Sequence, residues 1–433
     1  MRTPKKISFS LTTQFKTKLL TWANQFEEVI WLDSNNYEFS SNEYEAILAV
    51  EAFTALKTDY VNAFDKLQEY QHTTKDWIFG YLTYDLKNNV EALSSKNDDG
   101  LAFPDLYFFQ PKKIFLLKAE EVEMHYLGMV DDEMEEDWQA ILNTSVTSKA
   151  ETENNTSSIE SRLTKAEYME RVGKMLSHIH RGDIYEANFC QEFYAEDFPL
   201  QPLQTYFDLN SISEPPFAAF LKLEEFHLLS ASPERYLKKT GNKVISQPIK
   251  GTAKRLEDVS EDEVLKESLK TDPKEISENV MIVDLVRNDL SKTAKKGSVQ
   301  VEELCKLYSF KQVHQLISTV SSQIKEGISP VEVIKTTFPM GSMTGAPKIS
   351  AMKIIEELEV TKRGLYSGCV GYFSPQGDFD FNVIIRSILY NSANKYLSFS
   401  VGSAITAKSD PEKEYEECLT KAAAMHRVLE KFK

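Results

Sequence analysis

Apolar positions recur along the chain at two spacings. Runs dense in aromatic and β-branched residues, such as Trp77-Ile78-Phe79-Gly80-Tyr81-Leu82-Thr83-Tyr84 and Lys113-Ile114-Phe115-Leu116-Leu117, predict strands. Met134, Trp138 and Ile141 fall at helical spacing, and so do Phe53, Leu56 and Tyr60, so each trio predicts the buried stripe of a helix. Thr164 with Glu167 makes a capping box, opening a helix whose Tyr168, Val172, Met175 and Ile179 share a face. Strand-like runs follow at 217–221, 227–231, 243–249, 368–373, 381–390 and 396–401. They alternate with helices too irregularly for a βαβ series, which predicts mixed or antiparallel sheets and an α+β class.

Residues 143–162 interrupt this pattern with Ser, Thr, Asn, Glu and Lys, Val146, Ala150 and Ile159 being the apolar exceptions. They predict a linker or exposed loop between an N-terminal region, 1–142, and a C-terminal region, 163–433. Both regions are expected to contribute to one fold.

With 433 residues, 42% of them hydrophobic, the chain can fill one large or two ordinary cores. The sequence has no apolar stretch of about 18 residues, and its start lacks the apolar run of a secretory signal, so a cytoplasmic protein without a membrane span is expected. Cys190, Cys305, Cys369 and Cys418 are far apart and form no CxxC pair, which points to reduced, packed thiols. Acidic residues outnumber basic ones 66 to 50, and the net charge of −16 argues against nucleic acid or anionic membrane as a partner. An anionic substrate would need a bound cation or a few well-placed Arg and Lys side chains.

Candidate chemistry gathers around Pro248-Ile249-Lys250-Gly251-Thr252, where a lysine ends a strand at a glycine turn. Such an amine is a nucleophile once burial beside another cation lowers its pKa; otherwise it is a surface lysine. Glu275 with Glu278, and Glu414 with Glu417, stand three apart after matching helix starts, Thr271-Asp272-Pro273 and Ser409-Asp410-Pro411. Apart, these pairs are solvated helix faces. Facing each other, they bring four carboxylates together, and a hard cation such as Mg²⁺ would be needed to hold them.

Glu234, leaving an apolar strand at Ser232-Pro233, is either a general acid with a raised pKa or an exposed turn residue. The loop from Pro339 to Lys348 departs from the P-loop pattern, but its backbone amides, like those of Gly251-Thr252 and Gly402-Ser403, could hold a carboxylate. His314 lies among apolar residues, as a satisfied core histidine would. Arg386, in a strand-like run, needs either a substrate carboxylate or a buried glutamate.

Taken in order, the blocks Gly182-Asp183-Ile184-Tyr185-Glu186-Ala187-Asn188, Ser232-Pro233-Glu234, 248–252, 278–290, 341–348, Gly364-Leu365-Tyr366-Ser367-Gly368 and Glu414-Tyr415-Glu416-Glu417 resemble the chorismate-utilising enzymes. That family includes component I of aminodeoxychorismate and anthranilate synthases, and the isochorismate and salicylate synthases. The resemblance covers about residues 164 to 430 and is weaker upstream, at Trp31-Leu32-Asp33-Ser34 and from Gly80-Tyr81 to Asp85.

The resemblance implies two large, mostly antiparallel sheets packed as an orthogonal sandwich, helices outside and the active site between. A lysine at position 250 is the aminodeoxychorismate-synthase variant of its motif; anthranilate synthases have alanine there. Isochorismate and salicylate synthases place a water-activating lysine at the position that corresponds to Gln191 here, so activated water is not the implied nucleophile. Mg²⁺ would be held by Glu278 and Glu417, with Glu275 and Glu414 directly or through water, and would bind the ring carboxylate of chorismate.

Arg386, Tyr366 and the amides near Gly402 would take the second carboxylate, with Gly251, Thr252, His314 and Ser403 completing the surface and Lys421 offsetting the acids. Glu234 would protonate the departing C4 hydroxyl while Lys250 attacks C2. Ammonia would then add at C4 and expel the lysine, leaving 4-amino-4-deoxychorismate. The sequence contains no recognisable glutaminase block, so the ammonia is expected from a separate glutamine amidotransferase subunit.

Overall fold

The computed structural model describes residues 1–37, 43–146, 158–311 and 313–430. Its strand ladders are antiparallel and form one continuous hydrogen-bonded network folded into two layers. The first layer runs Arg2–Ser8, Glu121–Leu127, Leu106–Lys118, Ala46–Thr58, Glu28–Asp33, Phe217–Leu223, Phe226–Ser232, Ser387–Asn391, Tyr396–Thr406, Glu186–Ala195. Strand Leu106–Lys118 belongs to both layers, pairing through 113–118 with Glu121–Leu127 and through 106–109 with Ile78–Leu82. From there the second layer continues through Cys369–Phe373, Phe379–Val383, Arg235–Thr240, Lys243–Gln247 and Val313–Gln323, the last flanked by Ile249–Lys254 and Gln300–Ser309.

Side-chain alternation explains the layering. In the first layer Val29, Trp31, Leu48 and Val50 join a core that also takes in Phe15, Trp138, Tyr168 and Met425 from the outer helices. Their neighbours Ile30, Ile47 and Ala49 point the other way, into a second core shared with Phe79, Phe108, Phe373 and Phe381 of the opposing layer. A strand buried on both faces reads as a continuous apolar run, and that is why these segments show so little period-two polarity. The outcome is the expected α+β arrangement of stacked antiparallel sheets with helices outside.

The capping box of Thr164 and Glu167 forms as expected, and Tyr168, Val172, Met175 and Ile179 are buried along helix Lys165–Arg181. Met134, Trp138 and Ile141 are likewise the buried stripe of helix Met134–Asn143. The helix expected at Phe53, Leu56 and Tyr60 is not formed. These residues lie in or just after strand Ala46–Thr58, whose register slips between Ala52 and Thr54, and Phe53 and Tyr60 are exposed. A bulge adds one residue to a strand and so breaks the period of two, which makes a strand imitate helical spacing.

Two other runs split. Pro248, with no N–H to give to a ladder, separates Lys243–Gln247 from Ile249–Lys254. The run 381–390 breaks at 384–386, where Arg386 adopts φ 53° between two strands. Of the predicted linker, residues 147–157 lie outside the described residues; Glu160–Ser161, just beyond, pairs with Glu186–Ala195. No helix among the described residues is long and apolar enough to cross a membrane.

Candidate active site

A cavity of about 700 Å³ opens between strands Ile249–Lys254 and Tyr396–Thr406, helices Pro273–Ser291 and Pro411–Leu429, and the turns at Glu234, Ser342 and Arg386. Glu234, Lys250, Gly251, Thr252, Glu275, Glu278, Tyr366, Arg386, Gly402, Glu417 and Lys421 all line it. Residues from positions 234 to 421 thus converge on one space.

Both acidic helices start as their sequences imply. Asp272 and Asp410 accept hydrogen bonds from the first backbone N–H groups, and Pro273 and Pro411 occupy the first turn. This fixes the glutamates one turn in, and the two pairs do face each other. Lys274 lies between the helices, its Nζ 3.8 Å from Glu278 Oε1 and 3.8 Å from Glu414 Oε1. Glu414 is buried behind it, while Lys421, one turn after Glu417, pairs with that carboxylate at 2.6 Å and donates to the Gly402 carbonyl at 2.8 Å.

Burial pushes the Glu278 carboxyl up to about 7 against the pull of Lys250 and Lys274. Glu275 is raised by burial too, whereas Glu417 is lowered because Lys421 and the other lysines outweigh its burial. Among the described residues no three acidic, His or Cys side chains are already drawn into a cage. The donor set nevertheless suits a hard cation: the residues supply carboxylate oxygens, and Glu278 Oε1 is buried without a hydrogen-bond partner among the described residues.

Glu234 is 4% exposed, so it is not the open turn residue considered as its alternative. Burial raises its carboxyl to about 7, and Ser342 Oγ donates to its Oε1 at 2.6 Å. Lys250 behaves differently from the free amine expected. Burial lowers its affinity for a proton, but the carboxylates of Glu186, Glu278 and Glu234 more than reverse this, and the net shift is upward. Its Nζ is 2.9 Å from Glu186 Oε1.

Gly251, at φ 86°, lets this strand turn, and a Cβ there would come within 3.2 Å of Glu275 Oε2. Gly402 has a comparable constraint: a Cβ would meet Cys190 Sγ at 2.5 Å. Arg386 holds a left-handed backbone uncommon outside glycine, with its carbonyl accepting from Ala231. Its guanidinium makes no hydrogen bond or close ion pair among the described residues; the buried glutamate considered for it is present only at longer range, as Glu417 across the cavity. Burial lowers its pKa.

Three expected residues face elsewhere. His314 is 1% exposed and fully engaged, Nε2 with Asp262 at 3.0 Å and Nδ1 with Ser309 at 2.8 Å, and its neighbours Val313 and Gln315 line the cavity instead. Ser403 points to the outer core, its Oγ 3.3 Å from Tyr168 Oη. Gln191 shares the parity of Ala187, Phe189 and Phe193, which fill that outer core, and its Oε1 accepts from Ser161. The opposite parity of strand Glu186–Ala195, namely Glu186, Asn188 and Cys190, faces the site, so the residue that meets Lys250 from this strand is Glu186.

Beneath the cavity, Arg363 ties three segments together. It pairs with Glu359 at 2.6 Å and donates to the carbonyls of Met343 and Asn188 at 2.6 and 2.7 Å. Both partners of this ion pair are nearly fully buried, and removing one leaves an uncompensated charge. Arg363→Met is therefore expected to destabilise the fold by about 3 kcal/mol, measured by chemical denaturation.

A family model described as "chorismate binding enzyme" matches residues 20–427. Aminodeoxychorismate synthase component 1 of Escherichia coli (strain K12) is 34% identical over 352 residues, which cover 81% of this chain and 76% of that one. Anthranilate synthase component 1 of Thermus thermophilus is also 34% identical, over 359 residues covering 82% and 77%. In fold, the crystal structure of anthranilate synthase component I from Streptococcus pneumoniae superposes with a TM-score of 0.77 at 24% identity, covering 91% of this chain and 93% of that one. With a family match spanning nearly its whole length and an architecture to go with it, this chain belongs to the chorismate binding enzymes.

Proposed function

We propose that the protein aminates chorismate at C4, as an aminodeoxychorismate synthase component I does, using Mg²⁺ and ammonia from a separate glutaminase subunit. The observation that carries this reading is the position of Lys250: a lysine amine, rather than a small side chain, projects into the cavity between a protonatable Glu234 and the acidic helices. The cavity has two places for a dianion. One is the acidic cluster, where Glu278 and Glu417, supported by Glu275 and Glu414, would hold Mg²⁺. The other is the unpaired Arg386 with Tyr366 and the Gly402 backbone.

When bound, Mg²⁺ would offset, together with Lys274 and Lys421, the charge of the four acids and give the ring carboxylate a positive partner. The remaining chemistry falls to the chain. Glu234 gives its proton to the C4 oxygen as it departs, and Lys250 forms a bond to C2, so that one substitution becomes two easier ones. Arg386 anchors the far carboxylate and fixes the ring over the amine.

Glu234 must be protonated for its step. Its carboxyl, raised from 4.5 to about 7, carries the proton below neutrality and loses it above, so kcat/KM should fall as pH rises through about 7. Glu234→Gln is expected to lower turnover by about 10²–10⁴-fold and to abolish that alkaline limb. A pH–rate profile of both proteins checks this.

The relatives named anthranilate synthase component 1 supply the alternative, amination at C2 with loss of pyruvate. Product analysis after incubation with chorismate, Mg²⁺ and an ammonium salt decides between them. The proposal expects 4-amino-4-deoxychorismate with pyruvate retained; fluorescent anthranilate with free pyruvate would overturn it.

A further inference from the structure

A lysine that attacks carbon must first lose a proton, and in this structure Lys250 is surrounded by acids that hold the proton in place. Glu186 comes from strand Glu186–Ala195, Glu234 from the turn after Phe226–Ser232, and Glu278 from helix Pro273–Ser291. Glu275 and Lys274 of the same helix and Glu417 of the facing one complete the charged surroundings. Of these, Glu186 makes the direct contact, Nζ to Oε1 at 2.9 Å.

Glu186 differs from a structural ion-pair partner in two respects. It is 1% exposed, yet its second oxygen, Oε2, has no hydrogen-bond partner among the described residues, although a buried carboxylate kept for stability is normally bonded at both oxygens. It also stands behind Lys250, outside the lining of the cavity, where it can take a proton without competing for the space of the substrate. Its backbone is fixed on both sides, against Thr406 and Ala346, and Gly345 permits the second approach because a Cβ there would meet the Glu186 carbonyl at 2.2 Å.

We propose that Glu186 is a catalytic proton acceptor, taking the proton from Lys250 before the amine attacks the ring and returning it when the amine leaves. The inference rests on the reading of Lys250 as the nucleophile and deepens it.

One proton passes from the Lys250 ammonium to Glu186. The freed lone pair forms the N–C2 bond, the two ring double bonds each shift by one position, and the C4–O bond breaks. The oxygen takes the Glu234 proton and leaves as water, so the adduct nitrogen is a secondary ammonium, Glu186 is neutral and Glu234 is a carboxylate. When ammonia bonds to C4 the electrons shift back and the C2–N bond breaks. Lys250 recovers its proton from Glu186, and the new C4 ammonium gives one to Glu234. Both acids return to their starting states.

The test follows the covalent adduct by rapid quench and intact-protein mass measurement, with chorismate and Mg²⁺ present and ammonia omitted. At pH 7.5, Glu186→Gln is expected to form the adduct about 100-fold more slowly than the unsubstituted protein. Calorimetry should find chorismate binding within about threefold, the range in which ground-state contacts count as retained. In Glu186→Ala, added formate should restore the rate in proportion to its concentration, which a purely structural carboxylate would not show.

An adduct rate in Glu186→Gln equal to or above that of the unsubstituted protein would overturn the inference, since loss of a mere ion-pair partner frees the amine. If Glu186→Gln does not fold, Glu186→Asp decides: a slowed adduct with intact binding upholds the role, and an unchanged rate overturns it. Absence of any adduct in the unsubstituted protein defeats the nucleophile reading itself, and so is distinguishable from failure at Glu186.

Discussion

Lys250→Ala is expected to remove turnover and covalent adduct together and, less obviously, to destabilise the protein by about 3–5 kcal/mol, the cost of leaving a buried charge without its partner. The lysine side chain is 12% exposed and Glu186 only 2%, so water cannot replace the ammonium. The double variant Lys250→Ala/Glu186→Gln should recover most of that stability and none of the turnover. Denaturation curves of the single and double variants give the coupling between the two residues directly. A single variant as stable as the unsubstituted protein would mean that the contact at 2.9 Å contributes nothing.

Glu278→Gln should separate stability from metal binding. With its carboxyl raised from 4.5 to about 7, native Glu278 binds its proton more tightly than the unfolded chain does. It therefore opposes folding increasingly as pH rises from about 4.5 to 7, and fully above that. In metal-free solution at pH 8, Glu278→Gln is expected to stabilise the protein by roughly 3 kcal/mol, and at pH 4 to have little effect. Divalent-ion affinity should fall by about 100-fold or more, since even residues behind a ligand cost about 10–100-fold when replaced.

Lys274 gives the opposite sign. It places an ammonium among the same acids, so Lys274→Met should tighten metal binding, by about fivefold given that the side chain is 44% exposed. Titration calorimetry with Mg²⁺ measures both shifts without reference to activity.

How much of this the sequence carries differs from residue to residue. Capping residues and prolines act within one turn, so the starts of the acidic helices at Asp272 and Asp410 were legible from local spacing alone. That the two helices face each other depends on strands far apart in the chain, and neither glutamate pair implies it. Glu186 was visible in its motif but carried no signal of its role. Its significance comes from side-chain parity on a strand and from a contact across 64 positions.

The same parity turns Gln191 and Ser403 away from the site, a distinction lost when a motif is treated as a block. His314 illustrates the reverse: its apolar neighbours placed it in the interior, and only the Asp262 and Ser309 contacts show that its hydrogen-bonding capacity is already spent. The helix expected at Phe53 failed because a bulge in an extended strand altered the local period.

The central claim is that Lys250 forms a bond to the substrate. Incubating the protein with chorismate and Mg²⁺ in the absence of ammonia, digesting it and sequencing the peptides by mass spectrometry tests this directly. The account predicts an added mass of chorismate less one water on the peptide containing Lys250 alone, released when ammonium is added. Modification at another residue, or none while product still forms with ammonium, would contradict it.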